Sequence, residues 1–138
     1  MEQTLVLIKP DAFGAGHAGA ILKLYEDAGF KIVAAKVMRM TEAIAAKHYV
    51  EHIGRPYYAA LVEFMTSAPL MAIVLRGDDV IKKVRELNGA TNPADAAEGT
   101  VRKLYAADKT HNAVHASDSP ESSAREIPIF FSACEMFD

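Results

Sequence analysis

Two short, unbroken apolar runs constrain this chain more than any other feature: Gln3–Ile8 (QTLVLI) and Leu70–Leu75 (LMAIVL). Each is bounded by a chain-turning residue, Lys9-Pro10-Asp11 after the first and Pro69 before the second. Runs of this length and composition predict buried strands. A third segment, Phe30–Met40, partly alternates, with Lys31, Lys36 and Arg39 set between apolar residues, as a strand with one wet face does.

Helical spacing fills the intervals. Ile21, Leu22, Tyr25 and Ala28 recur on one face before Gly29, a natural helix end, after a Gly-containing loop from Phe13 to Gly19. Thr41 starts a helix carrying the helix formers of Ala43–Glu51, Arg55-Pro56 interrupts it, and Tyr57–Thr66 resumes the pattern. A further helix spans Val80–Leu87, Thr100–Ala107 makes a short one, and Ser119-Pro120 caps a last one that runs to about Ile127, with Ile129–Ala133 extended beyond it. Asn88–Gly99 is a loop of about a dozen residues, and loops that long in compact domains usually serve function.

The resulting order, β-α-β-(αα)-β-α-loop-β-α, predicts an α+β fold: a ferredoxin-like sandwich with a four-stranded antiparallel sheet covered by helices and a long loop at about 88–112. A doubly wound parallel sheet is the alternative, but it lacks its glycine fingerprint. Gly14-Ala15-Gly16-His17-Ala18-Gly19 has the spacing only by accident of a Gly-rich loop. With 138 residues and no linker or repeat, residues 1–138 form one domain, large enough to bury roughly two-thirds of its unfolded surface.

Charge and cysteine content narrow the function. A formal charge of -3 gives no basic excess for gripping a nucleic-acid backbone, so any anionic ligand must meet a local cluster of bases, and strong nucleic-acid binding is not expected. The single cysteine, Cys134, excludes an intrachain disulfide or a cysteine zinc site and reads as a small apolar residue. No apolar run approaches a membrane span, and no signal peptide precedes the first strand, so the expectation is a cytoplasmic protein with no membrane contact.

Bases gather at strand ends and loops: Lys9 after the first strand, Arg55 before Pro56, Arg85 before the long loop and Arg102 just after it. Thr91 and Asn92 add donors within the loop. Together these groups could line one anion pocket, although each alone reads as a solvated base. Of five histidines, His17, His48, His52 and His111 read as surface residues, and the His48/His52 pair lacks a metal-protease pattern. His115 differs, because it ends a short apolar run directly before a dense polar cluster, Asn112–Ser122 (NAVHASDSPES). A neutral imidazole can act as a nucleophile at physiological pH if an acceptor holds its other nitrogen; Glu126 is a candidate for that role, with Ser117 as a bridge.

At this point the chain resembles the nucleoside diphosphate kinases over essentially its whole length. The resemblance rests on Thr4–Ala12 (TLVLIKPDA), His48–Tyr58 (HYVEHIGRPYY), Gly89–Arg102 (GATNPADAAEGTVR) and Asn112–Ile127 (NAVHASDSPESSAREI), in the family's order. It implies reversible ping-pong transfer of a γ-phosphoryl group from a nucleoside triphosphate to a nucleoside diphosphate through a phosphohistidine. His115 matches the nucleophile, Glu126 the carboxylate that orients it and Ser117 the hydroxyl beside them. Arg85, Thr91 and Arg102 match phosphate contacts, and Lys9 and Asn112 match ribose contacts, with Lys9 also near the transferred group. Tyr49 lines the pocket and Arg55 supports it. The resemblance further implies Mg²⁺ held mainly by nucleotide phosphates rather than by protein side chains, and a homo-oligomer, hexamer or tetramer.

Three departures stand out. Tyr57 occupies the place of a base-stacking phenylalanine, Ala116 replaces a glycine after the histidine and bears on backbone geometry if that position needs φ > 0, and Lys109 falls where an apolar residue commonly closes the other face of the base. A non-catalytic nucleotide-binding member should have lost His115 or its cations; a phosphohistidine relay domain would need neither Tyr57 nor Asn112.

Overall fold

The computed structural model describes residues 1–137. Four strands, β1 (Glu2–Ile8), β2 (Lys31–Met38), β3 (Leu70–Gly77) and β4 (Val114–Ala116), form one antiparallel sheet in the order β2-β3-β1-β4. Among the described residues seven α-helices accompany it: α1 (Pro10–Gly14), α2 (Ala18–Asp27), α3 (Glu42–His48), α4 (Tyr58–Thr66), α5 (Val80–Asn88), α6 (Val101–Tyr105) and α7 (Pro120–Phe130). This is the expected α+β, ferredoxin-like plan, and the antiparallel registers exclude the parallel alternative.

The central strand explains its own sequence. β1 pairs with β3 from Glu2↔Gly77 to Ile8↔Met71 and with β4 from Val6↔Ala116 to Ile8↔Val114. On one face Val6, Ile8, Ile73 and Leu75 pack with Ile21, Tyr25 and Val84 of α2 and α5. On the other, Leu5, Leu7, Ala72 and Val74 pack with Ala45, Met65 and Phe130 of α3, α4 and α7. A strand covered on both faces has no reason to alternate, and each fully buried Leu or Ile contributes about 1.5–3 kcal/mol. Leu7 lies opposite His115, and directly paired residues share a face, so the imidazole points into the α3–α7 layer.

Local signals place the helix starts. Thr41 accepts a hydrogen bond from the Ile44 N–H at 3.1 Å, and Ser119 accepts one from the Ser122 N–H at 3.1 Å, with Pro120 in the first turn of α7.

Several expectations need correction. The chain turns into α1 immediately after β1, so the expected loop begins later; Pro10 presets the first turn and Asp11 favours its N-terminus. Gly14–Gly19 therefore joins two helices rather than a strand to a helix, which removes any dinucleotide reading. The helix expected to reach Glu51 ends at His48 and is followed by a 3-10 turn, Val50–His52. The loop Asn88–Gly99 contains another such turn, Pro93–Asp95, while α6 is the short helix expected within Thr100–Ala107.

The segment Ile129–Ala133 is not extended throughout. α7 continues through Pro128 to Phe130, and a 3-10 turn follows at Ala133–Glu135. A proline inside a helix costs about 3 kcal/mol, but Ile127, Ile129 and Phe130 all pack into the α3–α4 layer and offset it. Cys134 lies on the terminal turn, outside the core, and is exposed rather than packed. No helix among the described residues is long and apolar enough to cross a membrane.

Candidate active site

His115 is the middle residue of β4, not the end of an element, and about a quarter of its side chain is exposed. Its Nε2 lies 3.0 Å from Glu126 Oε1. The Ser117 hydroxyl donates to the same oxygen at 2.8 Å and accepts the Leu5 N–H at 3.1 Å. A carboxylate accepts but cannot donate, so it holds the ring proton on Nε2 and leaves the Nδ1 lone pair free. Glu126 is itself buried, and its Oε2 faces Arg125 at 3.6 Å. Arg125 donates to the Lys47 and His48 carbonyls and so ties α7 to the end of α3.

Lys9 is buried where β1 meets α1, and its Nζ donates to Asn112 Oδ1 at 2.8 Å. Burial, then the Arg102 guanidinium, pull its pKa from 10.5 down to about 8, while Asp11 opposes them. Asn112 donates in turn to the Lys109 carbonyl at 2.9 Å, so Lys109 contributes backbone here while its side chain is exposed. Arg102 donates to the carbonyls of Gly89 at 2.7 Å, Val114 at 2.9 Å and Asn112 at 3.3 Å, pinning the long loop to β4. Gly89 permits this at φ 88: a Cβ there would lie 2.6 Å from Thr100 Oγ1. Arg85 reaches the Ala116 carbonyl at 3.4 Å.

These groups converge. Lys9, Arg85, Thr91, Arg102, Asn112 and Tyr49 line one cavity of about 270 Å³ with His115 and Glu126. The Tyr49 hydroxyl is buried without a partner, and burial followed by Glu126 raises its pKa. A larger hollow of about 760 Å³ lies beside it between α5, the long loop and the start of α7, sharing Arg85 and Asp118. His115, Lys9 and Asn112 do not line it, so the smaller cavity holds the convergent chemistry.

Two of the sequence candidates stand apart. Tyr57 is half exposed and does not line the cavity; its hydroxyl bonds His52 Nδ1, and His52 does line it, so Tyr57 sits at the rim. Arg55 is exposed and outside the lining. The concern over Ala116 moves elsewhere. Among the described non-glycine residues only Asp79 and Ala113 have positive φ, and Ala116 is ordinary strand. The backbone strain lies at Ala113, φ 72, held by its N–H to Asp11 Oδ2 and by its carbonyl to the Lys9 N–H.

The sequence reading missed Glu51, Asp118, Ser122 and Arg125 in the lining and misplaced His48. His48 is buried, 4% exposed, with its ring edge-on to Tyr49, His115 and Phe130 at centroid distances of 4.5, 4.6 and 5.2 Å. Burial, then His115, push its pKa down to about 2, so it is neutral. Its spacing from Ile44 and Ala45 was the available signal for a buried helix face.

A free imidazole lone pair beside a wall of four cations, Lys9, Arg85, Arg102 and Arg125, suits attack on an anionic electrophile whose charge grows as it reacts. For a hard divalent cation the lining offers the Glu51 and Asp118 carboxylates, with Glu126 engaged by His115 and Ser117.

Known proteins resemble this chain over nearly its whole length. A family model described as nucleoside diphosphate kinase matches residues 2–136. The nucleoside diphosphate kinase of Persephonella marina is 47% identical over 138 residues, all of this chain and 99% of its own. The Aquifex aeolicus nucleoside diphosphate kinase structure superposes with a TM-score of 0.95 at 45% identity, covering 98% of each chain. A halophilic nucleoside diphosphate kinase from Halobacterium salinarum in complex with CDP has a TM-score of 0.96 at 42% identity, covering 99% of this chain and 91% of its own.

Proposed function

The chain belongs to the nucleoside diphosphate kinase family and transfers a phosphoryl group from a nucleoside triphosphate to a nucleoside diphosphate, and we propose that it does so by a ping-pong route in which His115 carries the group. The observation that carries this reading is the Glu126 carboxylate on Nε2 of His115. It leaves Nδ1 as the nucleophile. In the first half-reaction the Nδ1–P bond forms as the bond from phosphorus to the leaving diphosphate oxygen breaks; in the second, the new diphosphate reverses both changes.

Each remaining role follows from placement and chemistry. Glu126, held by Ser117, orients the ring and offsets the positive charge it acquires. Lys9, Arg85, Arg102 and Thr91 meet the phosphate oxygens, and catalysis of this type is mostly positioning and charge stabilisation. The Tyr49 hydroxyl, unpartnered at the cavity, donates to the transferred group. Asn112 and Lys9 hold the ribose, Tyr57 at the rim stacks on the base, and Arg55 braces the rim. Stacking accepts any base, so broad nucleotide use follows.

Mg²⁺ bound to the nucleotide neutralises phosphate charge. We assign the protein to the cytoplasm, as one domain over residues 1–138, assembled as a homo-oligomer, hexamer or tetramer. The test is incubation with γ-labelled ATP and Mg²⁺, then GDP, with His115→Ala in parallel. Label on the parent alone that leaves as GTP supports the reading; label that GDP cannot discharge points to a relay domain, and absence of label rejects a phosphoenzyme.

A further inference from the structure

Behind the cationic wall, His48, His115 and Glu126 reach one point from α3, β4 and α7. One donor atom from each, two imidazole nitrogens and a carboxylate oxygen, lies within 4.8 Å of the others. His48 lines the cavity, yet neither of its ring nitrogens has a hydrogen-bond partner. A buried polar group left unpaired is costly, and native structures keep such groups where something meets them.

We propose that His48, His115 and Glu126 form a binding site for a borderline divalent cation of the zinc class, and that its occupation takes His115 out of phosphoryl transfer. Two imidazoles and a carboxylate are the protein ligands of a familiar zinc donor set. Mg²⁺, which prefers oxygen ligands and retains its water, is selected against. The site is therefore distinct from that of the ion carried by the nucleotide.

The geometry needs modest adjustment. Tetrahedral zinc with bonds near 2.0–2.1 Å spaces its donor atoms about 3.3 Å apart. His115 Nε2 and Glu126 Oε1, at 3.0 Å, already nearly satisfy this. The widest separation must close by about 1.5 Å, a shift that falls to the His48 ring, packed edge-on against Tyr49 and Phe130. Arg125 faces the opposite carboxylate oxygen, Oε2, while Oε1 would keep the Ser117 hydroxyl's bond and exchange the His115 Nε2–H for the metal. The cavity lining carries four cations and three carboxylates, Glu51, Asp118 and Glu126, so repulsion weakens the site without overwhelming local metal–imidazole bonds.

Binding through Nε2 reverses the tautomer that Glu126 imposes. The Nε2–metal bond replaces Nε2–H, the ring proton moves to Nδ1, and no proton need leave the protein. With Nδ1 protonated, the lone pair that would attack phosphorus is gone.

The site is tested by titrating the full chain with Co²⁺, without nucleotide or phosphate, because tetrahedral cobalt absorbs strongly in the visible. The parent is compared with His48→Phe, which keeps a ring in the packed layer, His48→Gln and the exposed control His111→Ala, each checked by thermal melting. The expected result is a one-to-one tetrahedral spectrum, displaced by Zn²⁺, weakened about tenfold or more by both His48 variants and unchanged in His111→Ala. No tetrahedral spectrum from the parent, or an equal one from folded His48→Phe, overturns the site. Inhibition rests on His115 being the nucleophile and is read separately: Zn²⁺ should block label uptake from γ-labelled ATP, and a chelator should restore it. Cobalt binding with label uptake undiminished by zinc overturns the inhibition. Label absent even from metal-free protein counts against His115 as nucleophile, whereas the cobalt spectrum alone decides the site.

Discussion

Replacing Lys9 with Met should make the unliganded protein more stable while disabling it. The pKa of Lys9 falls from 10.5 to about 8, mainly through burial. Holding its charge in the folded state at pH 7 therefore costs about 3 kcal/mol, from 2.5 pKa units at about 1.4 kcal/mol each. Met keeps the length and removes the charge, but deprives Asn112 Oδ1 of its donor, which returns about 1 kcal/mol. The variant should gain about 2 kcal/mol at pH 7. The sign with pH follows from proton counting: between pH 8 and 10.5 the unfolded lysine binds more protons than the folded one, so parent stability rises with pH across that window. Below pH 8 the full cost applies, and above 10.5 it vanishes. Urea unfolding of both proteins from pH 6.5 to 10.5, in buffer free of phosphate, should show a gap that closes and then reverses. A gap that does not change with pH, or a variant less stable at pH 7, would refute burial as the source of the shift.

Other perturbations act on neighbouring groups. Glu126→Gln should slow label uptake by roughly 10²-fold or more in single-turnover measurements, because the tautomer is no longer enforced. Ser117→Ala removes one bond to Glu126 and one from the Leu5 N–H, and should cost about 2 kcal/mol by urea titration as well as slowing uptake. Gly89→Ala drives a methyl into Thr100 at a left-handed φ; it should destabilise by about 2 kcal/mol and raise nucleotide KM by loosening the Arg102 anchor. Tyr57→Ala should raise KM for all nucleotides by about tenfold, the worth of one stacked base, with little change in base preference, whereas Tyr57→Phe should stay close to the parent.

What the sequence disclosed depended on how far each residue's partners lay along the chain. The runs at Gln3–Ile8 and Leu70–Leu75 carry their burial in their own composition, so the sheet could be read directly. The caps at Thr41 and Ser119 are equally local. Glu126 and Ser117 lie within eleven residues of His115 and were found as candidates, but their shared hydrogen bonds depend on the Leu7↔His115 register. The spacing of His48 from Ile44 and Ala45 marks a buried helix face, but its ring partners His115 and Phe130 come from the far end of the chain and no local cue supplies them. The same holds for α7 beyond Pro128, where a local helix breaker is overruled by packing against α3 and α4. Family resemblance named Tyr57 as a base contact without revealing its tie to His52. The positive φ considered for Ala116 is found at Ala113 instead, whose N–H is held by Asp11, 102 positions earlier.

The most direct measurement is the chemical position of the phosphoryl group on the chain after reaction with ATP and Mg²⁺, by fragment mapping and phosphorus NMR under alkaline conditions. The hydrogen bond from Nε2 to Glu126 predicts phosphate on His115, bonded to Nδ1, and discharged by added diphosphate. Phosphate on Nε2, on Ser117 or Ser122, or on Glu126 would contradict the assignment of the Nδ1 lone pair as the nucleophile.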